Sequence, residues 1–201
     1  MVTLPIRARS PGFESYLSEL GIATDALASK TSLLSALGQV IDEDAYRSGQ
    51  FSDVGELAKS ALLESLSVQL HDRLPSLFDP TPAEIRGALA EFSSGSGFAI
   101  LARDFFARLS YRSLDYYLSR ELTNHIGTDK RFASDADRVG FERALRQHTF
   151  EASRIVQEFA GGWFGKTVWQ EQRLDHEAVN GFARYAFTKM RRELGRRRAN
   201  D

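Results

Sequence analysis

Apolar residues recur three and four positions apart along most of this 201-residue chain, the spacing that lines one face of an α-helix. The stretch from Gly97 to Gly127 organises the rest. It contains no proline, and an ideal helix of that length spans about 45 Å. Phe98, Leu101, Phe105, Leu109 and Tyr116 share one face, while Ile100, Leu114, Leu118 and Leu122 fall well away from it. A helix apolar over so much of its circumference needs neighbours on several sides. Asp104, Arg108, Arg112, Asp115 and Ser119 form one narrow polar strip, with Asp104 and Arg108 at the i, i+4 spacing of a solvated face.

Start and stop signals divide the remainder. Residues 1–9 read as a short extended lead-in. Ser10, Pro11 and Glu14 predict a helix through Leu20 that stops at Gly21. LLSALGQVI predicts a helix from residue 33 to about Glu43, with the acidic residues 42–44 as a solvated turn. Ser52 and Asp53 open a helix to His71, before Pro75. Thr81-Pro82-Ala83-Glu84 is a capping box with proline at the first helical position. Its helix stops at SSGSG, residues 93–97, read as a hinge or tight corner. Ser134 and Asp137 form a second capping box, launching one helix to about Phe159 that ends at Gly161-Gly162. WFGKTVW, residues 163–169, is short, β-leaning and aromatic, and reads as an extended connector or one hairpin arm. Asp175 caps the last helix, with Val179, Phe182, Ala183, Ala186, Phe187, Met190 and Leu194 inward and Gly195 at its close. The expected fold is a single all-α domain, an irregular bundle of about seven helices around the long central one.

Charge adds a division. Residues 1–100 hold 7 Lys/Arg against 13 Asp/Glu, whereas residues 101–201 hold 19 against 14. The chain therefore reads as an acidic half, 1–92, and a basic half, 98–201, joined at 93–97. Such polarity favours attraction between halves, head-to-tail self-association or a charged partner. The absence of cysteine excludes disulfides, thiolate metal sites and cysteine nucleophiles. The first residues lack the apolar run of a signal peptide, and GFAILA is cut short by Arg103. A cytoplasmic location without membrane contact is the expectation.

Candidate chemistry is sparse. AGGWFGKT, residues 160–167, matches a permissive phosphate-binding loop in which Lys166 would reach phosphates and Thr167 a magnesium ion. Its context opposes that reading: a helical stripe precedes it, Trp163 and Phe164 are bulky, and no later strand carries an acidic partner. Glu121 with His125, and His148 with Glu151, give only half-sites for a metal. His71 and His176 fit helix ends. No serine stands in a nucleophile elbow. Neither a catalytic residue, a metal nor a cofactor is therefore assigned.

Two features point to binding instead. Arg184, Arg191 and Arg192 share the face opposite Phe182, Ala186 and Met190, and Arg196, Arg197 and Arg198 extend it. Arginine forks in such an array suit phosphate or another anion. Tyr111, Tyr117, Trp163, Phe164 and Trp169 are aromatic interface candidates, since aromatics and arginine anchor protein contacts. The leading expectation is a non-catalytic helical interaction or assembly subunit, joined to a protein partner or to copies of itself. The alternative is nucleic-acid binding through the basic C-terminal helix and tail. A nucleotide-binding enzyme using Lys166 and Thr167 stands third.

Overall fold

In the computed structural model, residues 2–74, 79–122, 134–170 and 174–197 are described. Helix is the regular structure throughout them, and the fold is all-α. In chain order come α1 (Leu4–Ala8), α2 (Phe13–Glu19), a 3-10 turn (Thr24–Ala28), α3 (Lys30–Ser48) and α4 (Asp53–His71). They are followed by α5 (Pro82–Glu91), α6 (Gly95–Leu122), α7 (Asp135–Ala152), α8 (Arg154–Gly165), a π-helical turn (Lys166–Gln170) and α9 (His176–Arg197). These are more helical segments than the seven expected, because residues 4–8 and 166–170 are helical and the helix from Asp135 is divided at Ser153.

The best-read boundaries are those set by side chains acting locally. Ser52 Oγ accepts the Gly55 amide at 3.0 Å and opens α4. Both capping boxes are closed: Thr81 Oγ accepts from the Glu84 amide while the Glu84 carboxylate takes the Thr81 amide, and Ser134 and Asp137 reciprocate in the same way. Asp175 Oδ1 accepts the Ala178 amide at 2.9 Å and starts α9. Each bond satisfies one of the amides a helix start leaves orphaned.

Other boundaries shift. Residues 4–8 are helical, with Pro5 in the first turn and Leu4 and Ala8 buried. Pro11 does not open α2, which begins at Phe13 behind Gly12. The acidic residues 42–44 continue α3, which ends only at Gly49 (φ +64°), whose left-handed conformation receives the chain without a Cβ penalty. The expected single helix from Asp135 is broken at Ser153. That side chain is fully buried, and its Oγ donates to the Phe150 carbonyl at 2.6 Å. A hydroxyl bonding back within a turn competes with the helical ladder, and here α7 yields to α8. Gly161-Gly162 does not stop α8, and WFGKTVW is helical rather than extended. α9 likewise runs through Gly195 to Arg197.

The buried apolar side chains form two clusters that meet at the α5–α6 corner. One, from α1–α5, includes Phe13, Leu17, Leu33, Leu37, Leu70, Ile85, Leu89 and Phe92. The other joins Phe98, Ala102 and Phe106 of α6 to Val156, Ala160 and Phe164 of α8 and to Phe182, Ala186 and Met190 of α9. Phe98 stacks on Phe164 at 4.4 Å, and Trp163 stacks on Phe182 at 4.3 Å. Only three residues separate α5 from α6, so SSGSG is a corner whose Ser94 Oγ accepts the Gly97 amide at 3.0 Å. α6 packs most extensively against α8, then against α4 and α7.

Candidate interaction surfaces and an arginine-lined groove

The outer face of α9 follows from its periodicity. With Phe182, Ala186 and Met190 buried, residues half a turn away must face solvent, and Arg184, Arg191, Arg192 and Arg196 are all exposed. Arg196 pairs with Glu193 at 3.0 Å. Among the described residues Arg184, Arg191 and Arg192 have no carboxylate partner, and Tyr185 and Phe187 are exposed on opposite flanks of the arginine face. Phe187 was expected inside. Its ring meets Phe106 edge-on at 5.1 Å and leaves its other side in solvent. The side chain of Arg197, and Arg198 entirely, lie outside the described residues.

A second surface lies where α3 turns into α4. Tyr46, Phe51 and Val54 are 77%, 59% and 53% exposed, and the Tyr46 and Phe51 rings meet edge-on at 6.2 Å. Asp42, Glu43 and Arg47 line the recess at Tyr46 and Phe51, and Asp44, Asp53 and Glu56 belong to the same stretch of chain. Lys59 engages Asp42 at 2.5 Å and Glu56 at 2.8 Å, and those two hydrogen bonds hold its pKa above the ordinary lysine value. The Tyr116 hydroxyl donates to Asp53. The carboxylates of Glu43 and Asp44 are exposed and have no such partner among the described residues.

The third feature was read as a solvated strip and is not one. Asp104 is only 8% exposed, and the strip on α6 faces Glu64 of α4 and the inner face of α7. Arg108 Nε meets Asp104 at 2.9 Å, its Nη1 reaches Glu64, and Arg112 Nη2 reaches Glu64 at 2.7 Å. α7 brings Arg143 and Arg146 to the same groove, which encloses about 610 Å³. Arg146 lies over the Tyr111 ring at 4.6 Å. A hydrogen bond with Tyr111 is the main influence raising its pKa, so it stays a full cation.

The aromatic candidates divide. Tyr117 and Trp169 are exposed, and Tyr111 lines the groove. Phe164 is fully buried and Trp163 packs on the second cluster, so these two serve the core rather than a surface. The residues of AGGWFGKT are wound into α8 and the π-helical turn, where the backbone amides have helical partners. Thr167 is buried while Lys166 is exposed, so they do not present one phosphate cradle. His125 lies outside the described residues, as does the side chain of Glu121. Among the described residues no group of three His, Asp or Glu could hold a metal, and no helix is long and apolar enough to cross a membrane.

The groove escaped sequence reasoning because its parts come from three helices and lie up to 86 residues apart, from Glu64 to Phe150. The one local signal was the alternation of Asp104, Arg108, Arg112 and Asp115 beside an aromatic face, which reads equally as solvent-exposed. Compared with models of protein families, with curated proteins and with solved structures, the chain matches none.

Proposed function

We propose that the protein is a non-catalytic assembly subunit that associates head to tail with further copies of itself. The observation that carries this reading is the complementarity of two exposed surfaces. The α3–α4 corner presents three apolar side chains in a stretch where five carboxylates outnumber Arg47 and Lys59, and the outer face of α9 presents arginines flanked by Tyr185 and Phe187. Exposed apolar clusters with a charged rim mark association sites, and opposite charge fixes orientation and speeds encounter. Because the two surfaces differ, the contact is heterologous and builds a ring or an open array rather than an isologous dimer. Sedimentation velocity over a range of protein concentrations tests it. Association that grows with concentration and weakens as salt rises supports the reading, and a monomer at every concentration in low salt defeats it.

A second reading, nucleic-acid binding, is favoured by one specific observation: Arg184, Arg191 and Arg192 are exposed without carboxylate partners among the described residues. It predicts affinity for any sequence that falls steeply with salt. Anisotropy titration with labelled DNA and RNA separates the readings, since only nucleic-acid binding yields a complex with protein too dilute to self-associate.

A further inference from the structure

We infer that the groove between α4, α6 and α7 binds a compact phosphate ester, at a site separate from the surfaces assigned to self-association. Its volume of about 610 Å³ suits a small organic molecule. The groove has a buried base at Ala107 and Thr149, aromatic walls at Tyr111 and Phe150, and four guanidinium groups. Two of those groups are committed. Glu64 holds Arg108 and Arg112, and Asp104 holds the Nε of Arg108. The other two are not. Arg143 has no hydrogen bond or ion pair among the described residues, and Arg146 has no ion pair among them: it bonds Tyr111 and lies in the field of Glu64 and Asp115.

Arg143 and Arg146 stand three positions apart on α7, so their side chains emerge together on one helix face. Two cations at that spacing repel each other in the free fold. A tetrahedral anion with several acceptor oxygens turns this repulsion into shared attraction, because each guanidinium offers a planar fork of donors. Glu64, Asp104 and Asp115 on the opposite wall disfavour an anion spread across the whole groove. The charge is therefore confined to the α7 side, and the organic body lies against Tyr111 and Phe150. A phosphate monoester has this shape: a charged head of several oxygens and a neutral remainder.

Calorimetric titration of the full chain at low salt with inorganic phosphate, glucose phosphate and adenosine monophosphate tests the assignment, with acetate and adenosine as controls. Saturable binding of one ester per chain is expected, stronger than that of acetate. The double variant Arg143→Gln, Arg146→Gln should weaken it at least about tenfold, the equivalent of one charge-assisted hydrogen bond. Arg143 is exposed, so Arg143→Gln alone should melt as the parent does and keep its sedimentation behaviour while still weakening the ester. Absence of saturable binding by every phosphate compound, equal binding of acetate, or unchanged affinity in the double variant overturns the assignment.

Discussion

Gly95 and Gly161 pack backbone against backbone. A Cβ built on Gly161 would stand 2.8 Å from the Gly95 carbonyl oxygen, and one on Gly95 would stand 3.1 Å from the Gly161 carbonyl oxygen. The first turn of α6 and the middle of α8 are thus closer than any side chain permits. This contact explains why two adjacent glycines, which read as a helix stop, sit inside a helix: Gly161 is needed for the approach of a neighbour, not for a turn. Gly162, beside it, faces open space.

The pair makes a sharp contrast. Gly161→Ala meets backbone, which cannot rotate away, and should destabilise by about 1–3 kcal/mol as the helices are forced apart. Gly162→Ala should stabilise by up to about 1 kcal/mol through helix propensity alone. Urea unfolding of the two variants measures both. Equal effects of the same sign would mean that α6 and α8 do not meet at this point.

Gly97 is under a tighter constraint. Its Cβ would overlap the Glu91 carbonyl oxygen and lie 3.0 Å from the Phe92 Cα, at the corner between α5 and α6. Gly97→Ala should therefore cost more than Gly161→Ala, and more than the roughly 1–3 kcal/mol of ordinary overpacking. Thermal unfolding ranks the two directly.

Aromatic residues within one short segment should behave oppositely. Phe164 is fully buried and stacked on Phe98, so Phe164→Ala should cost about 3–5 kcal/mol. Trp169, five residues later, is exposed, and Trp169→Ala should change stability by no more than about 0.5 kcal/mol. Chemical denaturation of both variants checks that WFGKTVW is a helical element with one face in the core.

Glu84 supplies a pH signature. Hydrogen bonds from the Thr81 amide and hydroxyl hold its carboxylate below the usual pKa. A depressed folded pKa contributes stability that is present above the unfolded value and disappears as pH falls through the folded one. Removing the cap with Thr81→Ala should cost about 1 kcal/mol near neutrality. The deficit should shrink on acidification through the carboxylate range. Melting temperatures of parent and variant should draw closer at the acid end without converging, because the bond from the Glu84 amide to the Thr81 hydroxyl does not titrate.

What the sequence revealed and what it hid have a common physical cause. Ser52, Thr81, Ser134 and Asp175 were legible because a cap is a bond between residues three apart. The all-α class was legible because apolar spacing is a property of each segment taken alone. The corner at SSGSG was legible, but the reason for its glycines was not, since Gly95 answers to Gly161 and Gly97 to Glu91. The break at Ser153 depends on a hydroxyl buried among neighbours that no local pattern names. On the surfaces, the arginines of α9 could be listed from periodicity. The groove could not, because Glu64, Arg108 and Arg143 meet only through tertiary packing.

The central claim is head-to-tail association, and a mixing experiment tests it most directly. One variant reverses the corner, Glu43→Arg with Asp44→Arg, and another reverses α9, Arg191→Glu with Arg192→Glu. All four side chains are exposed, so both variants should fold. Sedimentation velocity at low salt should show each variant alone as a monomer where the parent associates, because each has lost one of its two complementary surfaces. An equimolar mixture should associate again, since each variant retains the surface its partner needs. A parent that remains monomeric, variants that associate as the parent does, or a mixture that stays monomeric would contradict the account.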